Sequence, residues 1–149
     1  MRLQPQIRLA EGLPEPTQHE FRMRALRHGN KLIFVEGAST YDVGLETNER
    51  AFLLDDDLSL ARKCALVLLS NLKQGCGGDL NRVVRCLKLT ALINCDAKFM
   101  DHPKVADAAS DLFVQVFGES GKHVRSAIGV DNLPSGVAIQ MHAAFEIRR

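Results

Sequence analysis

The C-terminal quarter of the chain alternates between apolar and polar positions in two runs that flank a turn. In the first run, residues 124–130, Arg125 is the one charged residue. In the second run, residues 137–147, the odd positions are apolar, and Gln140 and His142 share the opposite face. The pattern predicts a C-terminal β-hairpin that carries an isolated arginine on one strand.

Helical spacing occurs twice in the middle of the chain. Apolar residues recur every three or four positions in residues 58–74 and again in a segment that starts near Pro103, so both segments are predicted to be helices. Asp57 is the predicted N-cap of the first helix, and Gly75 is its predicted C-terminal glycine. Between the helices, alternation predicts a strand from Val83 to Cys95.

The N-terminal third is predicted to be extended. Residues 1–19 predict a short strand and an extended connector, and Phe21–Arg27 and Leu32–Val35 predict a hairpin. Residues 37–55 show no periodicity and predict a loop. The order of elements indicates a single α+β domain over residues 1–149, in which two helices cover one face of a five- or six-stranded sheet.

The face of the sheet that the helices leave open is predicted to carry small or apolar residues, where contact with water would favour charged ones. These residues are Cys86, Thr90, Ala127, Gly129, Ala138 and Ala144. We therefore expect a second subunit to cover this face, with Arg125 and Gln140 in or beside the interface. From the residues alone, Arg125 is either a paired structural residue or an anion receptor.

The charge of the chain is nearly balanced, with Lys+Arg 19 against Asp+Glu 18 and a net charge of +1. This balance gives no support for a nucleic-acid partner. No stretch approaches the roughly 18 apolar residues that a membrane span requires, and the N-terminus lacks the apolar core of a signal peptide. The expected protein is cytoplasmic and has no membrane partner.

The four cysteines are Cys64, Cys76, Cys86 and Cys95, and they form no C-x-x-C pair. The spacing predicts reduced, mostly buried thiols rather than a zinc site. The glycines on both sides of Cys76 leave room for that thiol to be exposed. Neither a metal nor a cofactor is expected.

Three segments carry a resemblance to the YjgF/RidA family. Residues 27–37, RHGNKLIFVEG, resemble the family's R-x-G-N-x-(L/I)-F-V-S-G strand. Residues 125–137 resemble its A-R-S-x-V-x-V…L-P-x-G-A segment, and residues 139–143, IQMHA, stand where the family has V-E-I-E-A. In this order and spacing, the segments identify the chain as a divergent member over about residues 21–147.

The resemblance implies a chorismate-mutase-like α+β fold with a mixed sheet, assembled as a homotrimer with ligand clefts between subunits. It also implies an activity. In deaminating members, the arginine that matches Arg125 binds the carboxylate of a 2-imino or 2-enamino acid, and water releases ammonia to leave a 2-keto acid. The expected partner is therefore a small carboxylate metabolite. Ribonuclease activity, from the family's older L-PSP endoribonuclease description, has the least support.

The chain departs from the family where catalysis would occur. The family's glutamate is Gln140 here, and an amide can orient water but cannot take its proton. The serine of F-V-S-G is Glu36, which either supplies the missing carboxylate or pairs with Arg125 and blocks anions. Asp107 lies near the family's asparagine, and the family's tyrosine is not recognisable. We expect either a deaminase with Arg125, Gln140 and Glu36 in its site or a non-catalytic metabolite-binding protein.

Two histidines accompany the candidate residues. By alternation, His142 shares a face with Gln140, and His123 shares one with Arg125. Both are expected to be surface or interface residues rather than general bases. No Ser-His-Asp arrangement is predicted.

Overall fold

The protein has a five-stranded mixed sheet with two helices on one face. The computed structural model describes residues 25–29, 31–37 and 54–148. In chain order the elements are strands β1 (Ala25–His28) and β2 (Leu32–Gly37), helix α1 (Leu54–Gly75), strand β3 (Val83–Asn94), helix α2 (His102–Phe117), and strands β4 (Val124–Val130) and β5 (Ile139–Ile147). The strand order is β1-β2-β5-β3-β4, in which β3 and β4 are parallel and the other pairs are antiparallel. The predicted α+β fold is confirmed, whereas the strand predicted within residues 1–19 lies outside the described residues.

Helix α1 is longer than its apolar stripe indicated. It begins before Asp57 and runs through Gly75, so neither residue has the capping position that was predicted for it. The left-handed residue that ends the helix is Gly77, with φ +68. The Gly78 N–H donates to the Lys73 carbonyl oxygen at 2.8 Å, and this closing bond is typical of a Schellman motif. The second of several glycines, rather than the first, therefore terminates α1.

Helix α2 follows the sequence pattern closely. It starts at His102 with Pro103 in its first turn. The predicted stripe is fully buried, and its members are Val105, Ala109, Leu112 and Val116. Helix α1 packs on β1, β2 and β5, while α2 packs on β3 and β4, so the two helices together cover one face of the sheet. None of the helices in the described ranges has the length and apolar content to cross a membrane.

Strand β3 changes phase at a bulge near its beginning. The register with β5 shifts between Cys86 and Lys88, because Cys86 pairs with Phe145 and Lys88 pairs with the adjacent Ala144. Strand β3 therefore has one extra residue at this point, which is a β-bulge. Cys86 is only 1% exposed, whereas it was predicted to lie on the open face. The bulge, which simple alternation does not reveal, turns its thiol into the core.

Strands β4 and β5 do not form the predicted hairpin, because β3 lies between them. The end of β3 is bonded to both neighbours: the Asn94 N–H donates to the Ala138 carbonyl at 2.9 Å, and the Cys95 N–H donates to the Val130 carbonyl at 3.2 Å. The alternation identified both strands correctly. It did not identify their partners.

The register of β4 decides where Arg125 lies. Arg125 is paired with Leu89, which is 0% exposed and faces the helices. Arg125 and the small residues Ala127 and Gly129 therefore lie on the helix side of β4, and the prediction that put them on the open face is wrong. Of the residues predicted for the open face, Thr90 and Ala144 are found there, paired with His142 and Phe34 of neighbouring strands.

Other apolar residues occupy the open face. Leu26, Phe34, Val124 and Ile128 are 52%, 49%, 67% and 47% exposed. They all lie on the face opposite the helices, according to the register of their strands. The open face therefore exposes large apolar side chains rather than the predicted small ones, and it also carries charged residues such as Glu36 and Lys88.

Candidate functional site

Arg125 is held between the edge strand β4 and helix α2. Its Nη1 atom donates to Asp107 Oδ1 at 2.6 Å and to Ser110 Oγ at 3.2 Å. The Arg125 side chain is 25% exposed and that of Asp107 is 54% exposed. Among the described residues, these contacts use Nη1 alone. A guanidinium has five N–H donors, so Nη2 and Nε can bind a carboxylate through two parallel hydrogen bonds.

Ser110 links Arg125 to a histidine that the sequence did not connect with it. Ser110 Oγ lies 2.9 Å from His123 Nε2, and His123 Nδ1 lies 2.6 Å from the Gly121 carbonyl oxygen. A carbonyl can only accept, so Nδ1 carries the proton, and Nε2 of the neutral ring accepts from the Ser110 hydroxyl. The Ser110 oxygen then accepts from Arg125. The chain of bonds fixes the orientation of the guanidinium.

No motif predicted this Ser-His pair, because Ser110 lies on a helix and His123 precedes a strand. The available signal was the prediction that His123 shares the face of Arg125, which the Ser110 contact confirms. Asp107, which the resemblance associated with the family's asparagine, contacts Arg125 directly. An acid at this position partly neutralises the guanidinium.

Glu36 and Gln140 meet on the open face of the sheet. Gln140 Nε2 donates to Glu36 Oε1, and His142 Nε2 lies 3.8 Å from the same oxygen. Glu36 is paired directly with His142 across β2 and β5. Its backbone carbonyl also accepts from Asn71 Nδ2 of α1 at 2.9 Å. These contacts hold a carboxylate, 25% exposed, at the end of the Gln140 side chain.

The Glu36–Gln140 pair lines a groove of about 580 Å³ on the open face. Its polar lining comes from four strand positions in addition to Glu36, namely Lys88, Thr90, Gln140 and His142. Leu26 and Phe34 supply an apolar wall. The groove combines hydrogen-bonding groups with exposed apolar surface, which is typical of a binding site or of a subunit interface.

The two halves of the predicted site are far apart within one chain. Arg125 lies on the helix side of β4, whereas Glu36 lies on the open face of β2. Strands β5 and β3 intervene, so the backbones are separated by three strand spacings, or about 14 Å. An intramolecular Glu36–Arg125 ion pair, which was one of the two predicted alternatives, is therefore excluded. So is a common face for Arg125 and Gln140.

The thiols are mostly buried, as predicted. Cys64, Cys76 and Cys86 are 0%, 1% and 1% exposed, so exposure of Cys76 is not found. Burial raises the pKa of the Cys86 thiol to about 12, against the opposing effects of a hydrogen bond from the Lys88 backbone and the charge of Arg85. Within the described ranges, no cluster of His, Cys, Asp and Glu has the arrangement of a metal site.

Comparison with known families gives a match over most of the described chain. The matching model is that of "YjgF/chorismate mutase-like, putative endoribonuclease", and it covers residues 25–141. Protein TCP17 of Trypanosoma cruzi is 44% identical over 88 residues, which are 58% of this chain and 54% of that protein. The chain thus matches about half the length of this curated relative.

Solved structures show the same architecture. Atu1372 of Agrobacterium tumefaciens, a protein of unknown function, has a TM-score of 0.81 and 25% identity over 95% of this chain and 91% of its own. TdcF of E. coli, whose crystal structure contains bound serine, has a TM-score of 0.59 and 17% identity over 100% of this chain and 99% of its own. At the identity of TdcF, the likeness shows the fold alone.

Proposed function

Because the chain belongs to the YjgF/chorismate mutase-like family, we propose that it is a deaminase of small 2-imino or 2-enamino acids. The observation that carries the proposal is the contact between Gln140 and Glu36. Gln140 replaces the family's glutamate and cannot act as a base, but its amide is bonded to a carboxylate that can. Arg125 is the proposed receptor for the carboxylate of the substrate.

The proposed site is shared between two copies of the chain. In a 2-imino acid the carboxylate and the imine carbon are directly bonded, so their receptor and their base must lie within a few ångströms of one substrate. The faces and strands of Arg125 and Glu36 forbid this within one chain. The exposed apolar residues of the open face favour its burial by another copy, and the resemblance makes a homotrimer the proposed assembly.

In the proposed reaction, Arg125 binds the carboxylate through Nη2 and Nε. The Gln140 amide orients a water molecule, and Glu36 takes a proton from that water as its oxygen bonds to the imine carbon. Glu36 returns that proton to the former imine nitrogen, the new hydroxyl gives its own proton to the same nitrogen, and the carbon–nitrogen bond breaks as the carbonyl forms. One water is consumed, and ammonia and a 2-keto acid are released.

The test is the decay of 2-iminobutanoate, followed by ammonia release, with purified wild-type protein. We expect Arg125→Ala and Glu36→Gln each to lower the rate by about a hundredfold or more, as loss of a positioned base or receptor commonly does. Glu146→Gln is the matched control, because Glu146 is another open-face glutamate, on β5. Decay that wild-type protein leaves unchanged would overturn the proposal.

Mixing the two inactive variants tests whether the site is shared. In random trimers, a site needs Arg125 from one copy and Glu36 from its neighbour, so about a quarter of the sites regain both groups. We expect activity to return to about that fraction of wild type. A mixture that remains inactive although the chains have exchanged would place both groups in the same copy.

A non-catalytic metabolite-binding protein is the second candidate. It is favoured by the Asp107–Arg125 ion pair, which partly neutralises the receptor, and by the amide at Gln140. Thermal shifts with 2-keto acids and amino acids separate the two candidates. Stabilisation that disappears in Arg125→Ala, without any turnover in the wild type, would identify a binding protein.

A further inference from the structure

A second cluster of reactive groups lies at the opposite end of β4 from Arg125. The Sγ atom of Cys95 is 3.4 Å from Nε2 of His102, the first residue of α2. The Phe99 ring meets the His102 ring edge-on, with centroids 5.2 Å apart. A Cβ atom at Gly129 would overlap the imidazole and come within 2.9 Å of Cys95 Sγ. The absence of a side chain at Gly129 therefore lets the thiol and the imidazole meet.

Cys95 differs from the other three thiols in its accessibility. Cys64, Cys76 and Cys86 are at most 1% exposed, whereas Cys95 is partly exposed. Burial of a thiol disfavours the thiolate, which is the nucleophilic form. All four cysteines of the chain are described, and Cys95 is the one that combines access with a neighbouring histidine.

We propose that Cys95 is a modification site that forms mixed disulfides with small disulfide molecules, with His102 accepting the thiol proton. The geometry suits an S–H···N hydrogen bond, so proton transfer would leave a thiolate beside an imidazolium.

The proposed reaction is a thiol–disulfide exchange. The Cys95 thiolate attacks one sulfur of the small disulfide, and a new sulfur–sulfur bond forms as the original one breaks. The departing thiolate takes the proton that His102 held and leaves as a thiol. Cys95 is oxidised, one half of the small disulfide is reduced, and no other oxidant takes part.

This inference does not depend on the proposed deaminase activity. Gly129 lies four residues along β4 from Arg125, which corresponds to about 13 Å. The exchange can therefore be measured on protein without any substrate.

The experiment treats native protein with oxidised glutathione at pH 7 and follows intact mass and peptide maps with time. We expect one adduct per chain, on Cys95, and none in Cys95→Ser. After unfolding in urea, all four thiols should react. First modification at a different cysteine, or a lack of native modification, would overturn the assignment.

The role of His102 is tested by His102→Gln. An unassisted thiol is only slightly ionised at pH 7, so loss of the imidazole lowers the amount of thiolate. The thiolate paired with His102 is a somewhat weaker nucleophile, which offsets part of this loss, and we expect adduct formation to slow roughly tenfold. Gly129→Ala is a second variant, because its methyl group should force Sγ and the imidazole apart. His28→Gln, at an exposed histidine of β1, is the control and should react at the wild-type rate. Continued protection of the buried thiols shows that each variant is folded. Wild-type rates in both His102→Gln and Gly129→Ala would refute the role of the imidazole.

Discussion

The two faces of the sheet differ in whether a single chain buries their apolar side chains. On the helix side, residues such as Ile139, Met141 and Phe145 are 0% exposed. On the open side, Phe34 is 49% exposed and Val124 is 67% exposed. The first face is a finished hydrophobic core that stabilises the fold. The second is apolar surface without a cover in the single chain, and we expect it to provide assembly.

The candidate chemistry is divided in the same way. Arg125 is anchored on the helix side by Asp107 and Ser110, whereas the Glu36–Gln140 pair is on the open side. A receptor and a base on opposite faces of one sheet cannot act on the same small molecule. The comparison of the faces therefore links the proposed activity to the proposed assembly.

The largest expected effect is on the free energy of unfolding, from a substitution on the helix side of the sheet. Phe145→Ala should lower the free energy of unfolding by about 3–5 kcal/mol, because it removes a buried ring and leaves a cavity. The Phe145 ring contacts those of Phe113 and Phe117, with centroids 5.7 and 5.9 Å away. Denaturant unfolding measures the change. A loss below about 1 kcal/mol would mean that the helix side is not the main source of stability.

An intermediate effect on the free energy of unfolding is expected from a rise in pH, because the Cys86 thiol faces the core. Its pKa is raised from 9.0 to about 12 by burial. Between these values the folded chain retains a proton that the unfolded chain loses, so stability falls as the pH rises above 9. From pH 8 to pH 10 the wild type should lose about 1 kcal/mol more than Cys86→Ala. Equal losses in the two proteins would show that the thiol ionises freely in the folded state.

The smallest effect on the single chain is expected on the open face. Phe34→Ser should change the unfolding free energy of the monomer by about 1 kcal/mol or less, because the ring is already half in water. Its main effect should be on assembly, measured by sedimentation over a range of concentrations. We expect wild-type protein to sediment as an oligomer and Phe34→Ser to dissociate. A wild type that remains monomeric at all concentrations would remove the reason for a shared site.

The two helices and the type of every described strand followed from periodicity, because burial of one stripe or one face constrains the sequence strongly. Periodicity did not show which strands are hydrogen-bonded to each other. The alternation of β4 and β5 fits a hairpin as well as it fits two strands on either side of β3. The pairing of β3 with β4 on one side and with β5 on the other shows that β3 separates them.

The sequence supplied the candidate residues of the site but not their arrangement in space. Arg125, Glu36 and Gln140 were selected from their types and from the resemblance, and the fold brings Glu36 and Gln140 into contact. Ser110 was missed because a hydroxyl on a helix has no sequence signal until a strand brings His123 to it. The bulge that buries Cys86 was missed for the same kind of reason, since it depends on the register of a neighbouring strand.

The sequence by itself determined the helices, the strands, the α+β class and the residue types available for chemistry, because these depend on local periodicity and composition. Only the tertiary structure decided which face each strand presents to the helices. Within a strand, the period of two fixes which residues lie together but not the direction in which they point. That direction depends on hydrogen bonds to other strands, and it separates Arg125 from Glu36 and Gln140.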